Sequence, residues 1–175
     1  MKKSVFVGLA VLFLVLTFSR TTAADSPGRI IDAFYDAYSR GAVDEMLSFF
    51  APHAVFEDVN QRHRFEGTES LRELFVGLVQ MHERMEVSEK RRLVQGNVVV
   101  VEYDYRGTLD GVALSQISGK ECSSIEYTLP ATTWFTIEDG RIVHQKDFID
   151  LATLKELQLQ VAGGVTSSND DAAHH

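Results

Sequence analysis

Residues 139–154, DGRIVHQKDFIDLATL, constrain the fold more tightly than any other stretch of this chain. Asp139-Gly140 is a hairpin signal, because glycine tolerates the positive φ that a tight turn needs. Ile142 to Ile149 then alternates two faces: Ile142, His144, Lys146 and Phe148 against Val143, Gln145, Asp147 and Ile149. Asp147 stands on the more apolar face. It belongs either at the wet end of the strand or in a cavity that the sheet encloses.

The preceding chain falls into helices, then strands. Ser26-Pro27 opens a helix with Ile30, Ile31, Phe34, Ala37 and Tyr38 at helical spacing, ended by Gly41. A second short helix covers Val43 to Phe50, stopped by Pro52, and Ala54 to Val59 is a short strand. Asn60 to Phe65 reads as a polar loop. A third helix starts at Gly67-Thr68-Glu69, capped by Thr68, presents Leu71, Leu74, Phe75, Leu78 and Val79, and ends at Met81 or His82. Met85 to Leu93, Val98 to Gly107 and Ser123 to Ile137 read as strands, with a turn at Gln95-Gly96-Asn97 and a Gly- and Ser-rich connection over Leu109 to Lys120. Leu151 to Val161 is a C-terminal helix.

Helices first and a meander after give an α+β fold. The expected form is a cone-like curved antiparallel or mixed sheet, with the N-terminal helices on its concave face and a short C-terminal helix. With 175 residues, 45% of them hydrophobic, the chain has material for one core and shows no repeats.

Residues 1–24 have the pattern of a secretory signal peptide: Lys2 and Lys3, an apolar run from Val5 to Phe18, and small residues at Thr22-Ala23-Ala24. The expected domain covers residues 25–162, and residues 163–175 form a small, polar tail expected to be disordered. Loss of the leader would leave 14 basic against 25 acidic residues, a net charge of −11. That charge argues against nucleic acid or an anionic membrane as partner. The expected location is secreted or periplasmic. Cys122 is the single cysteine, so there is no intrachain disulfide and no clustered thiol set for zinc.

Three segments resemble the SnoaL-like group of the nuclear transport factor two superfamily, with its ketosteroid isomerases and limonene epoxide hydrolases. They are FYDAYSRGAVDEMLSFFAPHAVFEDV from Phe34, FEGTESLRELF over residues 65–75, and EDGRIVHQKDFIDLATL over 138–154. The resemblance covers about Ile30 to Leu157 and implies the cone-shaped fold rather than one activity.

It also implies site residues. Asp58, at the end of the first strand, falls where the isomerases keep their base; the alternative is a carboxylate that caps the following loop. The isomerase's phenolic donor falls at Phe34 and its protonated acid near Thr133, so Tyr38, one turn further along the helix, is the substitute donor. Asp147 falls where the epoxide hydrolases keep a catalytic aspartate; the alternative is a buried ion pair with a cation such as Arg106. The hydrolase's water-holding Tyr and Asn fall at Phe56 and Asp58, and its arginine is absent near Glu102-Tyr103-Asp104. The row Glu102, Asp104, Arg106 is most simply solvent-facing. His63 and His82 are neutral-pH bases if they reach the pocket and surface histidines otherwise.

The resulting expectation is an exported domain with an apolar pocket for a small hydrophobic molecule, such as a polycyclic or terpenoid carbonyl compound. Asp147, Asp58, Tyr38 and His63 would do cofactor-free acid–base work, namely isomerisation, cyclisation or hydration, without a metal. Phe34, Phe56, Phe75, Leu78, Trp134 and Phe135 would contact the ligand. The alternative is a non-catalytic binding or interaction domain. A homodimer is expected in either case.

Overall fold

The computed structural model describes residues 26–163, so the expected leader and all of the expected tail but Gly163 lie outside the described residues. Helix α1 (Pro27–Ser39) and the short α2 (Val43–Ser48) precede strand β1 (Phe50–Asp58) and strand β2 (His63–Glu66). Helix α3 (Gly67–Met81) leads to β3 (His82–Gln95) and β4 (Val98–Leu109). Helix α4 (Gly111–Ser118), β5 (Ile125–Glu138), β6 (Arg141–Ile149) and α5 (Leu151–Gly163) complete the described chain.

The strands form one sheet in the order β2-β1-β6-β5-β4-β3. It is curved and does not close on itself. Every neighbouring pair is antiparallel except β1 and β6, which run parallel, so the sheet is mixed. Helices α1 and α3 pack on the concave face. Helix α1 buries Ile30, Ile31, Phe34 and Ala37 there, and α3 buries Leu71 and Phe75. At the narrow end the core is solid: Phe34 meets Phe50 edge-on at 5.4 Å and Phe135 at 6.0 Å between ring centres.

Asp139 and Gly140 both take positive φ, 49° and 75°, and form a two-residue turn between the paired residues Glu138 and Arg141. Other local expectations are corrected. Pro52 does not stop a helix; it lies inside β1, where pairing with β6 is interrupted between Phe50 and Val55 and no amide donor is needed. Residues 63–66, expected in a loop, pair with β1 as β2. Thr68 does not cap α3; Glu66 holds the cap position without a side-chain bond. The Gly- and Ser-rich connection contains α4. Its cap is Asp110, which accepts from the amides of Val112 and Ala113, and Gly119 ends it at φ 69°.

Candidate functional site

Beyond the solid end, the concave face and the helices enclose a cavity of about 280 Å³. Aromatic and aliphatic side chains make most of its wall, including Phe34, Phe56, Phe75 and Leu78. The cavity is close to the lower bound of roughly 300 Å³ for small-molecule sites.

Strand register brings the polar groups together. Asp147 stands opposite Asp58 across the parallel β1–β6 pair and opposite Thr133 across β5–β6. All three are buried. Thr133 Oγ1 donates to Asp147 Oδ1 at 2.7 Å, and Gln145 Nε2 donates to the same oxygen at 3.1 Å. Asp147 Oδ2 receives only a longer contact from Gln145, at 3.3 Å. Tyr103 Oη lies 3.0 Å from Thr133 Oγ1. With the threonine proton committed to the carboxylate, the phenol donates to the threonine oxygen. Tyr103, Thr133 and Asp147 thus form a fixed chain of hydrogen bonds.

Burial lifts the Asp147 carboxyl; donation from Thr133 and Gln145 opposes the rise and the neighbouring Asp58 charge adds to it, leaving the pKa at about 6. Arg106 is not its partner. Arg106 pairs with Asp104 at 3.5 Å on the opposite face, where Lys90 also reaches Asp104. The row Glu102, Asp104, Arg106 therefore points away from the cavity, and Tyr103 and Tyr105 line it.

Asp58 takes the loop-capping place expected as its alternative. It lines the cavity, and it accepts from the Gln61 amide at 3.0 Å and from Gln61 Nε2 at 2.7 Å, so it also ties down the β1–β2 loop. His63 is exposed and sits at the rim. Tyr38 lines the wall with its ring 5.7 Å from that of Tyr105. Trp134 and Phe135 are corrected. Adjacent strand residues face opposite ways, so Trp134 points out of the convex face, 51% exposed. Phe135 points inward but is fully buried in the solid end against Phe34 and Tyr35, without lining the cavity.

His82 is not a surface histidine. Its Nδ1 lies 2.6 Å from the Leu78 carbonyl, which only accepts, so Nδ1 carries the proton and Nε2 accepts from Tyr127 Oη at 2.7 Å. Burial pulls its pKa down. The sequence reading also passed over Tyr35. Its hydroxyl is buried and has no hydrogen-bond partner, and its ring lies 5.9 Å from that of Tyr103, beside the Asp147 chain. Burial and the Asp147 charge push the phenol well above its ordinary pKa, so it stays a neutral donor. Among the described residues, no group of three or more His, Cys, Asp or Glu side chains is placed to hold a metal ion.

Residues 31–145 match the SnoaL-like domain family. The chain belongs to that family. No curated protein matches it. Among solved structures, a Shewanella denitrificans protein described as a SnoaL-like polyketide cyclase shares 18% identity at a TM-score of 0.68, over 77% of this chain and 98% of that one. A Xanthomonas campestris protein described as a polyketide cyclase shares 23% at 0.65, over 77% and 96%. A Mycobacterium tuberculosis epoxide hydrolase of the limonene type shares 19% at 0.59, over 77% and 90%. At these identities the SnoaL-like neighbours establish the fold, which hosts cyclases, isomerases and hydrolases.

Proposed function

We propose that this SnoaL-like domain is a cofactor-independent acid–base enzyme acting on a small hydrophobic carbonyl compound. One observation carries the reading: a buried carboxyl with a pKa of about 6 and, among the described residues, no cation beside it, in the floor of a mostly apolar cavity. A base poised near neutral pH is suited to take a proton from carbon next to a carbonyl. Asp147 Oδ2, the less committed oxygen, is the acceptor. The C–H electron pair forms the C=C bond of an enolate and the carbonyl π pair moves onto oxygen, where the free Tyr35 hydroxyl donates a hydrogen bond to the developing charge. Return of the proton at another carbon is isomerisation; attack of the enolate on a second carbonyl is cyclisation. Asp58 tunes Asp147 by its charge, and His63 stands at the rim.

The test is deuterium exchange at the α-carbon of 1-tetralone in heavy water, followed by mass spectrometry. The wild type should accelerate exchange and Asp147→Asn should lose roughly 100-fold or more of that acceleration. Binding of the ketone without accelerated exchange would instead establish a binding module.

A second proposal concerns assembly and address. Trp134 and Phe148 are both exposed on the convex face, with Phe148 paired to Thr132 two residues from Trp134. Apolar side chains displayed together on a sheet face suit a homodimer. Light scattering should give twice the chain mass, reduced to one by Trp134→Glu. Export with cleavage after Ala24 is proposed from the leader pattern. An N-terminus of the mature protein other than one near Asp25 would overturn it.

A further inference from the structure

Tyr35 is not the only unpaired phenol in the wall. The Tyr105 hydroxyl is also buried and without a hydrogen-bond partner, and Tyr105 lines the same cavity. The two belong to different places. Tyr35 sits beside Tyr103 at the Asp147 end. Tyr105 is two residues further along β4, about 7 Å by the strand rise. It packs in a cluster with Tyr38, Tyr127 and His82, at ring distances of 5.7, 5.4 and 6.1 Å.

Leaving a buried hydroxyl unpaired is costly, because the hydrogen bond it gave up to water is not replaced. Tyr38 and Tyr127 stand close to the Tyr105 hydroxyl, but neither meets the geometry of a hydrogen bond with it: Tyr127 donates to His82, and His82 spends its own proton on Leu78. Apolar groups fill the wall between the two ends, with Ala131 and Leu129 opposite Tyr103 and Tyr105 on β5. The cavity is therefore apolar in the middle and carries a spare proton donor at each end.

We propose that the ligand is a dioxygenated hydrophobic molecule. Its reacting carbonyl meets Tyr35 and Asp147, and a second acceptor oxygen, an ether, hydroxyl or further carbonyl, meets Tyr105 at the other end. This rests on the ligand cavity proposed above and adds the second oxygen. Tyr105 is then a residue that selects the substrate and holds it in one direction, so that the α-carbon of the correct carbonyl faces Asp147.

Two probes of nearly equal shape separate the possibilities: 6-methoxy-1-tetralone and 6-ethyl-1-tetralone, which differ by oxygen for methylene. Calorimetric titration of the full mature chain should show the methoxy compound binding roughly five- to tenfold more tightly, the worth of one neutral hydrogen bond. Tyr105→Phe should erase that preference. Tyr35→Phe should weaken both probes alike and leave the preference intact. Equal affinity for the two probes in the wild type, or a preference that survives Tyr105→Phe, overturns the second oxygen and leaves the carbonyl site standing. Absence of binding by either probe overturns both the carbonyl site and this extension of it.

Discussion

Asp58 and Asp147 are register partners on parallel strands, yet only Asp58 is bonded to its own loop, through Gln61. Two buried acids on one row repel when both are ionised. Removing the first should therefore ease ionisation of the second. In Asp58→Asn the Asp147 pKa should fall below about 6, while the asparagine oxygen still accepts from Gln61. A carbon-13 titration of the Asp147 carboxyl checks this; an unmoved midpoint would show that the two acids do not interact.

Stability should carry the opposite pH signature from that of a salt-bridged acid. Asp147 titrates at about 6 in the folded chain, against an ordinary 3.8. Between these values the folded state holds the proton that the unfolded chain has already released. This group's contribution to stability therefore falls as pH rises through roughly 4 to 6 and stays low above. Two pKa units correspond to about 3 kcal/mol. Asp147→Asn should gain up to about that much in urea melts at pH 7.5 and flatten the slope between pH 4 and 6. A variant that loses stability at pH 7.5 would contradict it.

Thr133 links the phenol of Tyr103 to the carboxylate. Thr133→Val removes a donor from Asp147 and leaves the Tyr103 hydroxyl without its acceptor, at a cost of about 1–3 kcal/mol. The Asp147 midpoint should rise, since the threonine bond lowers it. Thr133→Ser keeps the hydroxyl and should restore the midpoint even if packing suffers. A midpoint equally raised in both variants would show that the hydroxyl plays no part.

Gly107 lies in β4 directly against the Tyr127 hydroxyl. A Cβ there would come within 2.5 Å of Tyr127 Oη and 2.9 Å of the Arg84 carbonyl. The backbone of β3 cannot retreat without breaking its pairing with β4. Gly107→Ala should expel Tyr127 from its bond to His82 and destabilise the domain by about 1–3 kcal/mol. The ring proton shifts of His82 would report the loss. Unchanged shifts and stability would mean that the approach is looser than the geometry states.

The fold was legible where its signals are local. The Asp139-Gly140 turn, the apolar faces of α1 and α3, and the alternation around Asp147 each lie within one short run of residues. What stayed hidden depends on pairing between distant strands. Nothing in residues 50–58 shows that β1 lies parallel to β6, and only that pairing sets Asp58 beside Asp147. Thr133 is a polar residue in an apolar strand until its register with Asp147 is known. The same register decides that Trp134 faces out, which its own strand could not tell. Helix α4 was obscured because its serines read as loop, although Asp110 and Gly119 mark both of its ends. Tyr103 and Tyr105 alternate with the charged row Glu102, Asp104 and Arg106, but their place in the cavity wall follows only from how the sheet packs against the helices.

The Asp139-Gly140 turn joins the two strands that carry Thr133, Gln145 and Asp147. One hairpin thus contains the buried Asp147 carboxyl and both groups that hydrogen-bond to it, whereas Asp58 comes from the far part of the chain. The proton affinity of Asp147 therefore divides by origin: its hydrogen bonds are local, and its repulsion is tertiary. That division makes the carboxyl a gauge of assembly. During refolding, its titration midpoint should register the arrival of β1 on the sheet as an upward step, at the carboxyl proposed above as the base.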